Sequence, residues 1–314
     1  MHYISTLIAT VIAIVLGMGL APLLDGISRK VKARLQYRQG PPVAQTFYDL
    51  AKLLRMESVL PTESRLFVLA PYIAFASALA AMTTLPIGTI QPLSFTGDIF
   101  VFLYVLAMVS VAMMLAGFVV PNTYSGIGAN REMMLILSIE PVLGMGIGIL
   151  ALLTGSLSMI GIMKSIAQLD FYRLLFAIVA YLLLMYAIYV EGGFIPFDVA
   201  EAETEILEGP LCEYSGRLLG FFKWALLIKR VVLVWLYSSL VVIPIVTALK
   251  LGAYLSFIVA FILQLFLTVV MYVGIAVIEA LNARYRIDHI ISYNTRILLV
   301  SILIFIVVAV SVYV

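Results

Sequence analysis

The sequence predicts an all-α integral membrane protein: eight transmembrane helices with a cytoplasmic amphipathic helix and an acidic loop, in a single polytopic membrane domain spanning residues 1–314. Three observations predict it. Of 314 residues, 64% are hydrophobic and 11% charged, where a soluble domain has about 45–50% and about 25%; mean hydropathy is +1.15. The charges are separated by uncharged runs of membrane length. Lys and Arg fall almost wholly on one set of loops. This composition excludes an ordinary soluble fold, a disordered chain and a nucleic-acid binder, and a net charge of +2 is too small to suggest a polyanion partner. The single Cys212 excludes a disulfide framework and any Cys-ligated zinc or iron–sulfur centre within the chain. His2 and His289, at opposite ends, leave no His-rich metal or haem site.

Reading between charges gives the spans. A bilayer core takes roughly 20 apolar residues per helix, which places spans near 3–24, 66–88, 99–120, 133–154, 172–191, 221–248, 252–279 and 296–314. Pro86–Gly97 and Pro121–Asn130, rich in Pro, Gly, Ser and Thr, end the longer runs as loops. No period-two alternation of a β-barrel is present. The first span has no basic start and no A-x-A-like site, so it reads as a retained helix and not a cleaved signal peptide. Apart from Lys164, Arg173 and Lys250, every Lys and Arg groups with the loops after spans one, three, five and seven, counting Lys229 and Arg230, which fall within the sixth span as drawn, and Arg296 at the start of the eighth. The positive-inside rule makes those loops (25–65, 121–132, 191–223 and 280–295) cytoplasmic and puts both termini outside, in a multi-pass cell-membrane protein. A molecule with one decorated face docks something there.

In the first of these loops, Arg29, Lys30, Lys32, Arg34 and Arg38 form a basic stretch. Each cation near an anionic headgroup is worth about 1 kcal/mol. After Gly40-Pro41-Pro42, the residues Phe47, Leu50, Ala51 and Leu54 recur at i, i+3, i+4 and i+7 and predict an amphipathic helix over Gln45–Met56, lying in the interface or against a partner. Asp49 and Lys52, three apart, are expected to pair, and spacing alone makes Asp49 structural.

The third loop carries Glu191, Asp198, Glu201, Glu203, Glu205, Glu208 and Glu213. On a continuous helix Asp198, Glu201, Glu205 and Glu208 would fall within about 80° of one another. Such crowding raises carboxylate pKa values and suits a proton relay, the reading favoured for Glu205. Asp198 and Glu201 after Pro196 fit a capping box equally well. Within the apolar spans, Glu140 precedes Pro141. A membrane-embedded acid costs at least ~2.5 kcal/mol and ordinarily faces a cavity, a partner or an ion path, and the proline frees backbone carbonyls for water. Glu191 and Glu279 close the fifth and seventh spans, with Lys229 a candidate counter-charge for one of them; Arg230 reads as a snorkelling side chain. The chain has no nucleotide-binding, zinc-protease or Ser/His/Asp motif.

Two segments resemble a known family: Arg34-Leu-Gln-Tyr-Arg38-Gln-Gly40-Pro41-Pro42-Val-Ala-Gln45-Thr-Phe-Tyr-Asp49-Leu-Ala-Lys52, and Glu191-Gly-Gly-Phe-Ile-Pro196-Phe-Asp198-Val-Ala-Glu201-Ala-Glu203-Thr-Glu205 running to Glu213-Tyr-Ser-Gly216. Together they resemble the eight-helix subunit 1 (H subunit) of respiratory complex I and its relatives in membrane-bound NiFe hydrogenases. Ser138-Ile-Glu140 is similar to the family's fourth-span acid. The resemblance covers essentially the whole chain. Gly40-Pro41-Pro42, Gln45 and Tyr48-Asp49 are similar to the hydrogenase branch. Gly192-Gly193-Phe194 departs from the Thr-Asn-Arg of quinone-using members, and Phe221-Phe222 is followed by Lys223 and Trp224 where those members carry an acid.

The mixture resembles archaeal ferredoxin-linked hydrogenase or sulfane sulfur reductase complexes. It implies a non-catalytic membrane-anchor and coupling subunit of an oxidoreductase. Its docking loop would contain Arg34, Arg38, Gly40, Pro41, Pro42, Gln45, Asp49 and Lys52. Hydrogenase-like large and iron–sulfur small subunits, holding iron–sulfur clusters and a NiFe centre, would sit on the cytoplasmic face, with antiporter-like subunits and lipid in the membrane. This chain itself is expected to hold no cofactor or metal. The expected proton relay comprises Glu140, Glu191, Asp198, Glu201, Glu203, Glu205, Glu208, Glu213, Glu279 and Lys229. The alternatives are a quinone-binding subunit of an NADH dehydrogenase-like complex and a passive scaffold.

Overall fold

The computed structural model describes residues 2–313, with side chains described over 6–202 and 205–312. The helices in order are α1 (His2–Leu35), α2 (Gln45–Arg55), α3 (Arg65–Thr84), α4 (Asp98–Val119), α5 (Thr123–Thr154), α6 (Met159–Ser165), α7 (Phe171–Glu191), α8 (Glu203–Ile206), α9 (Gly216–Ala248), α10 (Ala253–Leu281) and α11 (Ile287–Tyr313). Eight of them are long and apolar enough to cross a membrane, matching the expected number, and no strand occurs among the described residues.

Three helices extend beyond the apolar runs. The first, α1, continues through the basic stretch to Leu35. Lys32 and Arg34 in its last turn complement the partial negative charge of a helix C-terminus. The start of α5 is Thr123, because Asn122 is a working N-cap whose side chain accepts from Tyr124 N at 2.9 Å. The expected loop over Pro121–Asn130 is therefore mostly helix: glycines at 126 and 128 weaken a helix but do not stop a capped one. At the other end of the chain α11 begins at Ile287, well before the last charge-free run.

The acidic loop departs most from expectation. Only Glu203–Ile206 is α-helical there, followed by a 3₁₀ turn at Gly209–Leu211. Asp198–Ala202 is irregular apart from a turn at Ala200 and Glu201, so the single acidic helical stripe and the Asp198/Glu201 capping box do not form. The side chain of Glu203 lies outside the described residues.

The bundle is built around α9, whose membrane-length window is 72% buried. Ala70, Ala74, Ala78 and Ala81 of α3 form a stripe of small, fully packed residues, which lets α3 lie directly against α4 and α9. The fifth helix packs on α4, α7 and α11, and α1 packs on α9 and α10. The amphipathic α2 lies against α9 and α1. At Gly26 a Cβ would come within 1.9 Å of Val43 O, so only glycine lets the first loop close on α1 there.

Four spanning helices contain an internal proline: Pro22, Pro71, Pro141 and Pro244. Each deprives the carbonyl four residues earlier of its N–H partner. In three cases an aromatic donor on another element repairs the loss. Trp224 Nε1 donates to Met18 O at 3.3 Å, Tyr214 Oη to Phe67 O at 2.9 Å and Tyr181 Oη to Leu240 O at 2.6 Å. These bonds tie α1 to α9, the acidic loop to α3, and α7 to α9. Removing one donor should leave a buried acceptor orphaned. Tyr181→Phe is expected to cost about 1–3 kcal/mol, read as a lower melting temperature of the purified assembly. Adding Pro244→Ala, which returns an N–H to Leu240 O, should recover much of the loss.

Candidate functional site

The long polar segments gather at one end of the bundle, and from there charged side chains run inward. Lys229 of α9 is 4% exposed. Its Nζ lies 2.6 Å from Glu191 Oε1 at the end of α7 and donates to Ser110 Oγ of α4 at 2.5 Å. Apart from that ammonium, neither Glu191 oxygen has a donor among the described residues. Glu132 of α5, buried, stands close to Lys229, Glu191 and Ser110. Two carboxylates thus crowd around one ammonium.

Toward the loop, a cavity of about 30 Å³ is lined by Glu132, Glu191, Asp198, Glu201, Lys229 and Arg230 among others. A water needs about 10–15 Å³ of such space, so it has room for about two. Away from the loop, a second cavity of about 300 Å³ is lined by Glu140, Pro141, Leu137 and again Glu191. Glu191 therefore stands between the two. Glu140 Oε1 is buried without a donor. Leu137 O, freed by Pro141, receives no side-chain donor among the described residues, unlike the other three proline-freed carbonyls. This cavity thus contains two unsatisfied acceptors, the pattern that holds water in an apolar wall. It opens on the exposed Phe100, Tyr104 and Leu137 at the side of the bundle.

Of the loop acids, Glu201 joins this cavity system. Desolvation pushes its carboxyl up to about 7, opposed by the Arg230 guanidinium and assisted by Asp198. Asp198 lines the cavity too while holding a partner outside it, and the remaining acids act as separate staples. Asp198 pairs with Arg284 at 2.9 Å, Glu205 with Arg131 at 2.6 Å and Glu208 with Lys223 at 3.2 Å. Glu213 accepts from Asn122 Nδ2 at 2.5 Å. Glu279 pairs with Lys32 at 2.5 Å and also accepts from Ile195 N. Of the expected relay, the structure brings together Glu140, Glu191, Asp198, Glu201 and Lys229; Glu205, Glu208, Glu213 and Glu279 stand apart on their own partners.

Arg230 does not snorkel. Its Nε and Nη2 donate to Gly192 O and Gly193 O at 2.9 and 3.1 Å, and its Cζ lies 5.5 Å from the Phe194 ring centroid. Gly193, at φ +60°, makes the turn that aims these carbonyls toward it. Phe197 seats the same loop among Tyr186, Tyr189 and Tyr285.

In the first loop, Asp49 pairs with Arg29 at 3.1 Å and accepts from Gln45 at 2.9 Å, not from Lys52. The Arg29 guanidinium, which also reaches Asp25 at 2.9 Å, outcompetes the more distant ammonium. Arg34, Arg38, Pro42 and Lys52 are among the more open positions of this loop, with Gly40 and Pro41 half-buried between them. The residues that sequence reasoning missed are Glu132, Ser110 and the buried role of Arg230. Charge spacing puts Glu132 in a loop; the Asn122 cap puts it on α5, two turns and a residue before Glu140.

Eight membrane-length helices around a buried cluster of carboxylates and one ammonium define a polytopic membrane protein with charged side chains in its interior. The family described as NADH dehydrogenase matches residues 7–310. Hydrogenase-4 component C of Escherichia coli K12 is 39% identical over 70% of each chain, and formate hydrogenlyase subunit 4 of the same organism is 36% identical over 74% of this chain and 76% of that one. The H subunit of the NADH-quinone oxidoreductase of Thermomicrobium roseum is 32% identical over 76% of this chain and 77% of its own length. The chain belongs to the NADH dehydrogenase subunit 1 family, close to these hydrogenase-type members. Its fold matches a chain of the membrane-bound sulfane sulfur reductase, an archaeal respiratory membrane complex, with a TM-score of 0.78 over 98% of this chain and 99% of that one at 23% identity.

Breaking the central pair exposes its dependence on charge balance. Lys229→Met should cost about 3–5 kcal/mol by leaving buried carboxylates uncompensated. The double variant Lys229→Met/Glu191→Gln should regain more than half of that in thermal unfolding of the assembly. A second expectation concerns Glu201: neutral below about pH 7 and charged above, it should contribute a protonated-carboxyl infrared band that fades as pH rises through 7 and is absent in Glu201→Gln.

Proposed function

We propose that this chain is the membrane-anchor and energy-coupling subunit of a respiratory complex. In this reading the end carrying α2, the acidic loop and the 282–286 turn faces the cytoplasm, with both termini outside. It docks a NiFe-hydrogenase-like large subunit and an iron–sulfur small subunit, which hold the redox cofactors. The relatives named for hydrogenase-4 and formate hydrogenlyase support a hydrogenase-type partner.

One observation carries the coupling role: Glu191 lines both the narrow cavity under the acidic loop and the larger one containing Glu140. Redox turnover in the docked module shifts the 192–202 loop or the protonation of Glu201. The change reaches Glu132, Lys229 and Glu191 by Coulomb coupling, which is strong where water is scarce. A proton or its field then passes to Glu140 and on to antiporter-like subunits at the α4–α5 flank, where Phe100 and Tyr104 present an apolar face. Beneath the loop only about 30 Å³ is open, against about 300–1,000 Å³ for an organic ligand, so a quinone reading would have to use the side cavity at Glu140 in place of the space under the loop. Gly192-Gly193-Phe194 in place of Thr-Asn-Arg also departs from the quinone-using members.

Glu140→Gln keeps the shape and removes the titratable proton. Ion translocation in membrane vesicles should fall about 100-fold, the lower range of what a positioned proton-transfer group contributes. Assembly and electron transfer by the docked module with soluble donors should persist. Unchanged ion pumping in that variant would remove Glu140 from the path.

A further inference from the structure

At the bundle end opposite the acidic loop, charge is scarce. Asp98 is fully buried and already bonded to Gln91 Nε2 at 2.6 Å and Met159 N at 2.7 Å. Of the three cations there, Lys164 and Lys250 line one cavity of about 360 Å³, together with Thr89, Thr247 and Ser256. They reach it from different elements, Lys164 from α6 and Lys250 from the link between α9 and α10. Neither forms an ion pair among the described residues. Both side chains are exposed, so the cavity presents two cations to whatever enters it and favours an anion.

The same cavity meets the start of α10 at Ala253, where the first backbone N–H groups of a 29-residue helix have no intrahelical acceptor. The Thr247 and Ser256 hydroxyls donate back to Pro244 O and Ala253 O. The two lysines, Thr89 and the helix amides are therefore the donors that remain.

Beside this polar cavity lies an apolar groove of about 420 Å³, lined by Ile8, Ile12, Ile87, Ile90 and Phe257. The two share their walls. Thr89 lines one and Ile90 the other, as do Ser256 and Phe257, and consecutive Cα atoms are only about 3.8 Å apart. Ile8, Ile12 and Ile90 are exposed. The polar cavity sits where α9 ends at Ala248 and α10 starts at Ala253, the depth of lipid headgroups.

We propose that this paired cavity and groove bind an anionic phospholipid, its phosphodiester between Lys164 and Lys250 and an acyl chain along Ile8, Ile12, Ile90 and Phe257. Phosphatidylcholine carries the same phosphodiester but would bring a quaternary ammonium to a cavity that already holds two ammonium groups, so a lipid of net negative charge fits better. A free phosphate would leave the groove unfilled. The bound lipid fastens α1, α6 and α10 together at an end where the described residues supply no ion pair.

The intact complex in detergent, stripped of lipid and titrated with phosphatidylglycerol under native mass spectrometry, tests this. Lys164→Gln/Lys250→Gln should lose one tightly held phosphatidylglycerol, with affinity at that site lowered about 30-fold for two cations removed. Lys164→Arg/Lys250→Arg should retain it, which separates lost charge from lost fold. Ile90→Asn should weaken it with the lysines intact. Phosphatidylcholine should not fill the site, and millimolar inorganic phosphate should not displace the lipid. Equal phosphatidylglycerol retention by the glutamine variant overturns the proposal, as does occupancy by phosphatidylcholine or full displacement by inorganic phosphate.

Discussion

An ammonium cannot stand alone inside a bilayer, and the arrangement of this molecule follows from where Lys229 finds its counter-charge. Being near the middle of the most buried helix, it has no route to water by extension of its side chain. It is matched by Glu191 at the end of α7 and by Ser110 on α4, with Glu132 of α5 alongside. Four helices thus meet at one ammonium. A pair this deep stabilises the fold weakly by itself, since desolvation offsets most of the attraction, but losing one partner is severe. The pair therefore fixes which helices must be neighbours more than it fixes how stable their packing is.

The next residue along α9 extends that constraint into the loop. Arg230 holds the carbonyls of Gly192 and Gly193, immediately after Glu191, and lies over Phe194. Consecutive residues of one helix thus grip the side chain that ends α7 and the backbone that continues it. The loop cannot be displaced at 192–194 without disturbing the same stretch of α9 that carries Lys229. A guanidinium suits the second role because it supplies several donors in a fixed plane, whereas Lys229 needs only a point charge. Each glycine has its own reason: a Cβ at Gly192 would come within 2.5 Å of the Phe194 ring, and Gly193 holds a positive φ of +60°.

The spans were legible because a bilayer imposes one length and one polarity on every helix that crosses it. Their ends were less so: charge-free runs end where charge begins, while helices end where caps and breakers act. The basic turn of α1 and the Asn122 start of α5 both continue helix into charged sequence. Glu140 could be found because it interrupts an apolar run; Glu132 could not, because Arg131 beside it makes it resemble an interfacial residue. The acidic loop misled for a different reason. Helical geometry brings Asp198, Glu201, Glu205 and Glu208 onto one face only if the helix exists, and tertiary partners on other elements outweighed that local pattern. Likewise no spacing rule foretells that Trp224, Tyr214 and Tyr181 repair the carbonyls freed by Pro22, Pro71 and Pro244, since each repair joins residues far apart in sequence.

The ion pairs are graded with depth, and the grading separates what can move from what cannot. Glu205 and Glu208 have side chains 52% and 39% exposed, Asp198 17%, Glu279 7% and Glu191 3%. Pairs at the exposed end are worth about 0–1 kcal/mol and exchange readily with water. The innermost pair, once broken, leaves a buried charge costing several times that. A docked partner can therefore rearrange the outer staples of the loop at little cost. It leaves the Glu191–Lys229 pair in place, since separating that pair would strand a buried carboxylate and a buried ammonium. In the proposed coupling role, motion of the loop and movement of a charge would meet at Glu191, because that residue lines the cavities on both sides of it.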